Sequence, residues 1–191
     1  MFNVASLLFL LWSPIASARD VNFCLANVVI SPAKSGGFKW DLIGKVDDDS
    51  VQKASNAFGA ALASVNPIAG AAAAVVIPGL SFASQPDTIA RVQIIQDGET
   101  KEYAYARIND TLTPDWASKA CTLRFDADRK VRIRISFTDV DDANQNDDIG
   151  SIELSSGDLK AAIKAQQIML VDTRGQGTGL VWGVGLSVIP E

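Results

Sequence analysis

Along several stretches of the chain, apolar and polar residues alternate with a period of two, which predicts strands with one buried and one solvated face. The clearest stretch covers residues 131–138, where Val131, Ile133, Ile135 and Phe137 point one way. Leu180, Trp182, Val184, Leu186 and Val188 repeat the pattern near the C-terminus. Shorter candidates lie at 23–30, 89–95, 102–108, 121–125 and 151–154, and Gly, Asp, Asn or Pro stand in most of the gaps. Many short strands separated by turn residues predict a mainly β fold, an antiparallel β-sandwich.

Two segments break this rhythm. Residues 158–170 place Leu159, Ile163, Gln166 and Leu170 at helical spacing, which predicts one short helix. Residues 51–82 are apolar and rich in Ala and Gly, and Asn66-Pro67 divides them into candidate helices at 51–65 and 68–77. Their composition sets them apart as an insertion. One reading packs Phe58, Leu62, Val65 and Val76 on the sheet; another makes residues 58–80 a membrane-inserting element. The Gly, Pro and Asn content argues against a single spanning helix.

The N-terminus has an order of its own. An apolar run, Leu7 to Trp12, precedes Ser13-Pro14 and the small-residue sequence Ala16-Ser17-Ala18, which is the order of a secretory signal peptide, although no Lys or Arg precedes the run. The run is too short to span a bilayer, and Pro14 ends it. Residues 1–18 are therefore expected to be a signal peptide and 19–191 a single domain, secreted or, in a bacterial host, periplasmic. In an exported protein Cys24 and Cys121 are most simply one disulfide, with two buried thiols as the alternative. Asn109-Asp110-Thr111 is a glycosylation sequon, meaningful in a eukaryotic host.

Charge and composition narrow the function. A net charge of −5 argues against a nucleic-acid partner, because phosphate neutralisation needs an excess of Lys and Arg. The chain contains no histidine, which removes Ser-His, Cys-His and His-ligated metal mechanisms together. Neither cysteine lies in a reactive motif, so the protein is expected not to be an enzyme. Lys130, Arg132 and Arg134 share a strand face that suits either solvent or anionic headgroups.

Between two predicted strands lies a segment holding Asp139, Asp141, Asp142, Asp147 and Asp148. Crowded carboxylates repel one another, so an ordered loop of this kind calls for a cation, the alternative being a solvated acidic loop. Calcium suits it, as a hard ion that takes roughly six to eight oxygen atoms. The segment is not an EF-hand, since it lacks the Gly at the sixth position and the Glu at the twelfth, and a strand leads into it.

The order strand, Asp-x-Asp-x-x-x-x-x-Asp-x-Ile-Gly, strand resembles the third calcium-binding loop of C2 domains. Carried across, the family's ligand positions are Asp139, Asp141 and Asp147, with Ile149-Gly150 at the turn into the next strand. Gln85-Pro86-Asp87-Thr88-Ile89-Ala90-Arg91-Val92 is similar to the family's Ser-Asp-Pro-Tyr-Val-Lys-Val segment, which puts Asp87 at a ligand position; Thr88 and Ile89 replace the Pro and Tyr. Thr111-Leu112-Thr113-Pro114-Asp115-Trp116, followed by Cys121 to Phe125, is similar to a further stretch of the family. Asp41, in Asp41-Leu42-Ile43-Gly44, fits the remaining loop-one ligand, with Asp47, Asp48 and Asp49 as alternatives. The resemblance implies a C2-like sandwich that binds Ca2+ through loops at one end and then contacts anionic phospholipid membranes. The alternatives are a structural or protein-interaction module that calcium only stiffens, or a membrane-inserting factor.

Overall fold

The computed structural model describes residues 19–40, 46–62, 85–116, 121–141 and 146–191. Eight strands and two helices lie among them: β1 (Asp20–Ile30), α1 (Asp48–Leu62), β2 (Thr88–Gln96), β3 (Glu99–Ala104), β4 (Cys121–Asp126), β5 (Val131–Asp139), β6 (Asp147–Glu153), α2 (Ser156–Ala165), β7 (Met169–Asp172) and β8 (Val181–Pro190). They form two four-stranded sheets in the orders β4-β1-β8-β7 and β3-β2-β5-β6, and every ladder is antiparallel. The mainly β sandwich expected from the alternation is the fold found.

The core lies between the sheets. Phe23, Leu25, Phe125 and Leu186 come from one sheet, and Val92, Ile94, Ile133, Ile135 and Phe137 from the other, all of them buried in one continuous cluster. Each such side chain contributes about 1.5–3 kcal/mol when fully buried. Cys24 and Cys121 are register partners across β1 and β4, and a disulfide joins them. At the end of the sandwich where β1 begins, Arg124 binds both Asp20 (2.5 Å) and the C-terminal residue Glu191 (2.8 Å).

Several sequence expectations shift. The C-terminal strand alternates in sequence, yet residues 181–188 of β8 are buried on both faces. The helices supply the second cover: α2 packs on β8, and the ring of Phe58 from α1 lies over Gly183, where a Cβ would stand 2.7 Å from Cζ. The helix expected over 158–170 runs only from Ser156 to Ala165. Ser155 and Asp158 cap its start reciprocally, Gln166 in the left-handed region (φ 51°) ends it, and Leu170 belongs to β7. The strand expected over 102–108 stops at Ala104. Tyr105 then turns inward so that its hydroxyl accepts from the Leu25 N–H (3.3 Å), and Ile108 makes only an isolated bridge to Thr88.

The apolar stretch begins as a helix three residues earlier than expected. Asp47 caps it by accepting from the Ser50 N–H (2.8 Å) and hydroxyl (2.6 Å), and Asp48 and Asp49 fill the first turn, where the helix dipole favours negative charge. Phe58 is fully buried and Leu62 packs against the core. Val65, Val76 and the helix expected at 68–77 lie outside the described residues, as does the expected signal peptide at 1–18. No helix among the described residues is long and apolar enough to cross a membrane.

Candidate metal centre

Strand register builds the site. Thr88 at the start of β2 pairs with Asp139 at the end of β5, and Asp139 pairs with Asp147 at the start of β6. The loops that hold Asp87, Asp139, Asp141 and Asp147 therefore converge at one end of the sandwich. A bulge sharpens the convergence: Phe137 pairs with Gly150 but Thr138 with Asp148, so β6 carries an extra residue just after Asp147 and Asp148. Gly150 has φ +135°, and a Cβ there would stand 2.5 Å from the Thr178 hydroxyl oxygen. That hydroxyl donates to the Ile149 carbonyl, so the expected Ile149-Gly150 turn is a bulge inside β6, pinned by a loop from the other sheet.

Asp139 is the unusual residue of the group. On β5 the inward row runs Ile133, Ile135, Phe137, Asp139, and period two carries the carboxylate to a fully buried position. One oxygen, Oδ1, accepts from the Asp87 N–H at 2.8 Å. The other, Oδ2, is buried with no hydrogen-bond partner. Such an oxygen is costly in its ionised form unless something unseen completes it. Burial pushes the Asp139 carboxyl up to about 6. The charges of Asp141 and Asp147 add to the rise, and the Asp87 N–H and the Lys34 ammonium oppose it.

A pH dependence follows for the metal-free protein. The folded pKa of about 6 exceeds the reference of 3.8, so this group's contribution to stability is complete below about 3.8 and lost as pH rises through about 6. Relative to Asp139→Asn, which cannot ionise, the unsubstituted protein should lose about 2 to 3 kcal/mol between about pH 4 and about pH 7. Parallel urea-unfolding curves for the two proteins across that range would contradict it.

One carboxylate oxygen from each of Asp139, Asp141 and Asp147 lies within 4.8 Å of the other two. Asp87 stands beside them without joining the group. Its Oδ1 accepts from the Asp110 N–H (2.8 Å), Oδ2 pairs with the Arg107 guanidinium, and its backbone N–H holds Asp139. Asp41 lies outside the described residues. Lys34, which the sequence did not single out, sends its ammonium from the loop after β1 to Asp147. A pairing across 113 residues leaves no local sequence signal.

Two four-stranded antiparallel sheets packed over one core have the arrangement that the sequence resemblance implies. The fold is a C2-like β-sandwich. No protein-family model matches the chain, and no curated protein matches it. Among solved structures, the C2-like chain is similar to a C2 domain of plant Extended Synaptotagmin 1, at 11% identity over 91% of this chain and 96% of that one, with a TM-score of 0.43. It is similar to a pair of C2 domains from Extended-Synaptotagmin 2, at 9% identity over 100% of this chain and 47% of that one, with a TM-score of 0.42. A third likeness is to BON1-C2B, at 12% identity over 90% and 89% of the two chains, with a TM-score of 0.40. At such identities a likeness is one of fold alone; the chemistry of the site comes from this chain's own residues.

Proposed function

We propose that this protein is a secreted, non-enzymatic calcium-binding module whose loaded end makes contact with anionic phospholipid membranes. The observation that carries the calcium reading is Asp139 Oδ2, a buried oxygen without a partner, on a residue that with Asp141 and Asp147 brings one carboxylate oxygen each within 4.8 Å of the others. An all-oxygen set with neither His nor Cys suits a hard cation, and carboxylates, carbonyls and water together complete the shell that calcium takes. Asp139, Asp141 and Asp147 would hold the ion, with Asp87 fixing Asp139 through its N–H and Asp41 as a further candidate. Bound calcium would supply the positive charge that these carboxylates need and that an anionic headgroup needs in turn.

Membrane contact has its own support. Phe38 is 51% exposed, and it borders the same concave surface as Lys34, Trp40, Asp147 and Asp148. An exposed aromatic beside a cation site offers an apolar contact at the headgroup boundary. The Cys24–Cys121 disulfide is in keeping with export, and residues 1–18 with a signal peptide.

Calcium at about 100 times its dissociation constant should stabilise the protein by about 2.7 kcal/mol, visible as a raised Tm. Asp141→Asn, at a half-buried position where the exchange keeps the side chain's shape, should remove most of that shift. A melting curve unchanged at millimolar calcium would defeat the reading. Sedimentation with phosphatidylserine vesicles then tests the membrane half. Pelleting only with calcium is the expected result, and no pelleting despite a calcium-induced shift in Tm would leave a calcium-stiffened interaction module.

A further inference from the structure

The group Asp139, Asp141 and Asp147 already has a cation beside it, and that cation belongs to the chain. The Lys34 ammonium pairs with Asp147, and its side chain is only 23% exposed. The ammonium also stands 5.5 Å from the centroid of the Trp40 ring. Trp40 is a fixed platform, 3% exposed, with its indole N–H donating to the Ser31 carbonyl at 2.9 Å. The loop that carries Lys34 is closed on itself: the Lys34 N–H donates to the Phe38 carbonyl (2.7 Å) and the Gly37 N–H to the Lys34 carbonyl (3.0 Å). Gly36 and Gly37 make that turn at φ +80° and +78°, which residues with a Cβ rarely adopt. Backbone and ring together deliver the ammonium to Asp147, so the ion pair does not depend on a freely moving lysine.

We propose that Lys34 is a tethered counter-ion of the metal centre, competing with calcium for Asp147 and setting the concentration at which the ion enters. This rests on the calcium reading above. Asp139 supplies the independent sign that the cluster takes a ligand, because its fully buried Oδ2 has no partner and its carboxylate belongs to the group whose Asp147 Lys34 reaches. One ammonium offsets one of the crowded negative charges and leaves that buried oxygen unmet. A divalent ion offsets two and binds the oxygens directly, but it repels an ammonium held at the same carboxylate. The two cations therefore exclude each other, and calcium binding turns Lys34 out toward solvent. Lys34 is a positioning residue of the metal-free state and does not ligate the metal.

The test is a calorimetric calcium titration of the protein and of Lys34→Gln, joined to acylation of Lys34 by an amine-reactive ester, followed by mass spectrometry with and without calcium. Lys34→Gln should bind calcium about tenfold more tightly, since it removes a like charge from the ion's side. In the unsubstituted protein, calcium should accelerate acylation of Lys34 while leaving Lys160 and Lys164 on α2 unchanged. Equal affinities with unchanged acylation would overturn the counter-ion and leave the calcium reading standing. Calcium binding to neither protein would overturn both. Acylation is read on the unsubstituted protein, so it decides the matter even if the variant folds poorly.

Discussion

Protein in which Cys24→Ala and Cys121→Ser remove the disulfide should be less stable by about 4.7 kcal/mol, the chain-entropy figure for a bridge closing a loop of about a hundred residues. The two cysteines are 97 positions apart, so the reduced unfolded chain gains a large freedom that the bridged one lacks. The effect has a local address. Among the described strands β4 is an edge strand that pairs only with β1, and the bridge joins the register partners at the last step of that ladder. Without it, Arg124 ties β4 to Asp20 and Glu191 through half-exposed ion pairs, and such pairs contribute little. Urea unfolding of the two proteins measures the difference. Free thiols titrating in denatured, unreduced protein from an oxidising compartment would refute the bridge outright.

Phe58→Ala should cost about 3–5 kcal/mol, the range for emptying a buried aromatic site that cannot collapse. The Phe58 ring is fully buried and fills the space left by Gly183, with the Trp182 ring centroid at 6.0 Å. The Arg174 guanidinium also stands 5.1 Å from the ring centroid, held by Asp172 and by a hydrogen bond to the Ser55 carbonyl at 3.0 Å. The helix backbone, the arginine and the glycine-bearing strand fix the walls of the site, so a cavity would persist. This sets apart the two readings of residues 51–82, because a side chain that packs on the sheet shifts the unfolding midpoint, whereas one that enters lipid does not. A loss below about 1 kcal/mol in urea would remove Phe58 from the packing account. Up to residue 62 the described structure is that of a helix packed on the fold.

The strands were legible because alternation is a direct image of the pleat. The row Ile133, Ile135, Phe137 was legible, but its next step of two, which falls on Asp139 and which the structure shows buried, was not among the expectations, although a carboxylate at the end of an apolar row is the clearest sign of the site that the sequence contains. What stayed illegible needs long-range placement. Arg107 takes an oxygen of Asp87, and Lys34 reaches Asp147, by contacts that only the folded loops create. The short β7 was hidden because Leu170 also fits a helical stripe, and nothing in the sequence marks Gln166 as the left-handed residue that ends the helix. The solvated face expected for β8 failed for a different reason. Gly183 and Gly185 leave room there for other residues to close in, the Phe58 ring over one and the Asn27 side chain, which would collide with an added Cβ, over the other.

The β1–β8 ladder, which pairs Val21 with Pro190 beside Arg124, fixes where anything attached to this domain would hang. The β5 strand runs nine residues from the Arg124 end to Asp139, a span of about 30 Å. Residue 191 and the backbone at residue 20 leave from one pole, and the aspartates sit at the other. A chip surface, a bead or a fused neighbour coupled at either point would face away from the loops, so a sensor built this way would present Asp139, Asp147 and Lys34 to the solution without a spacer.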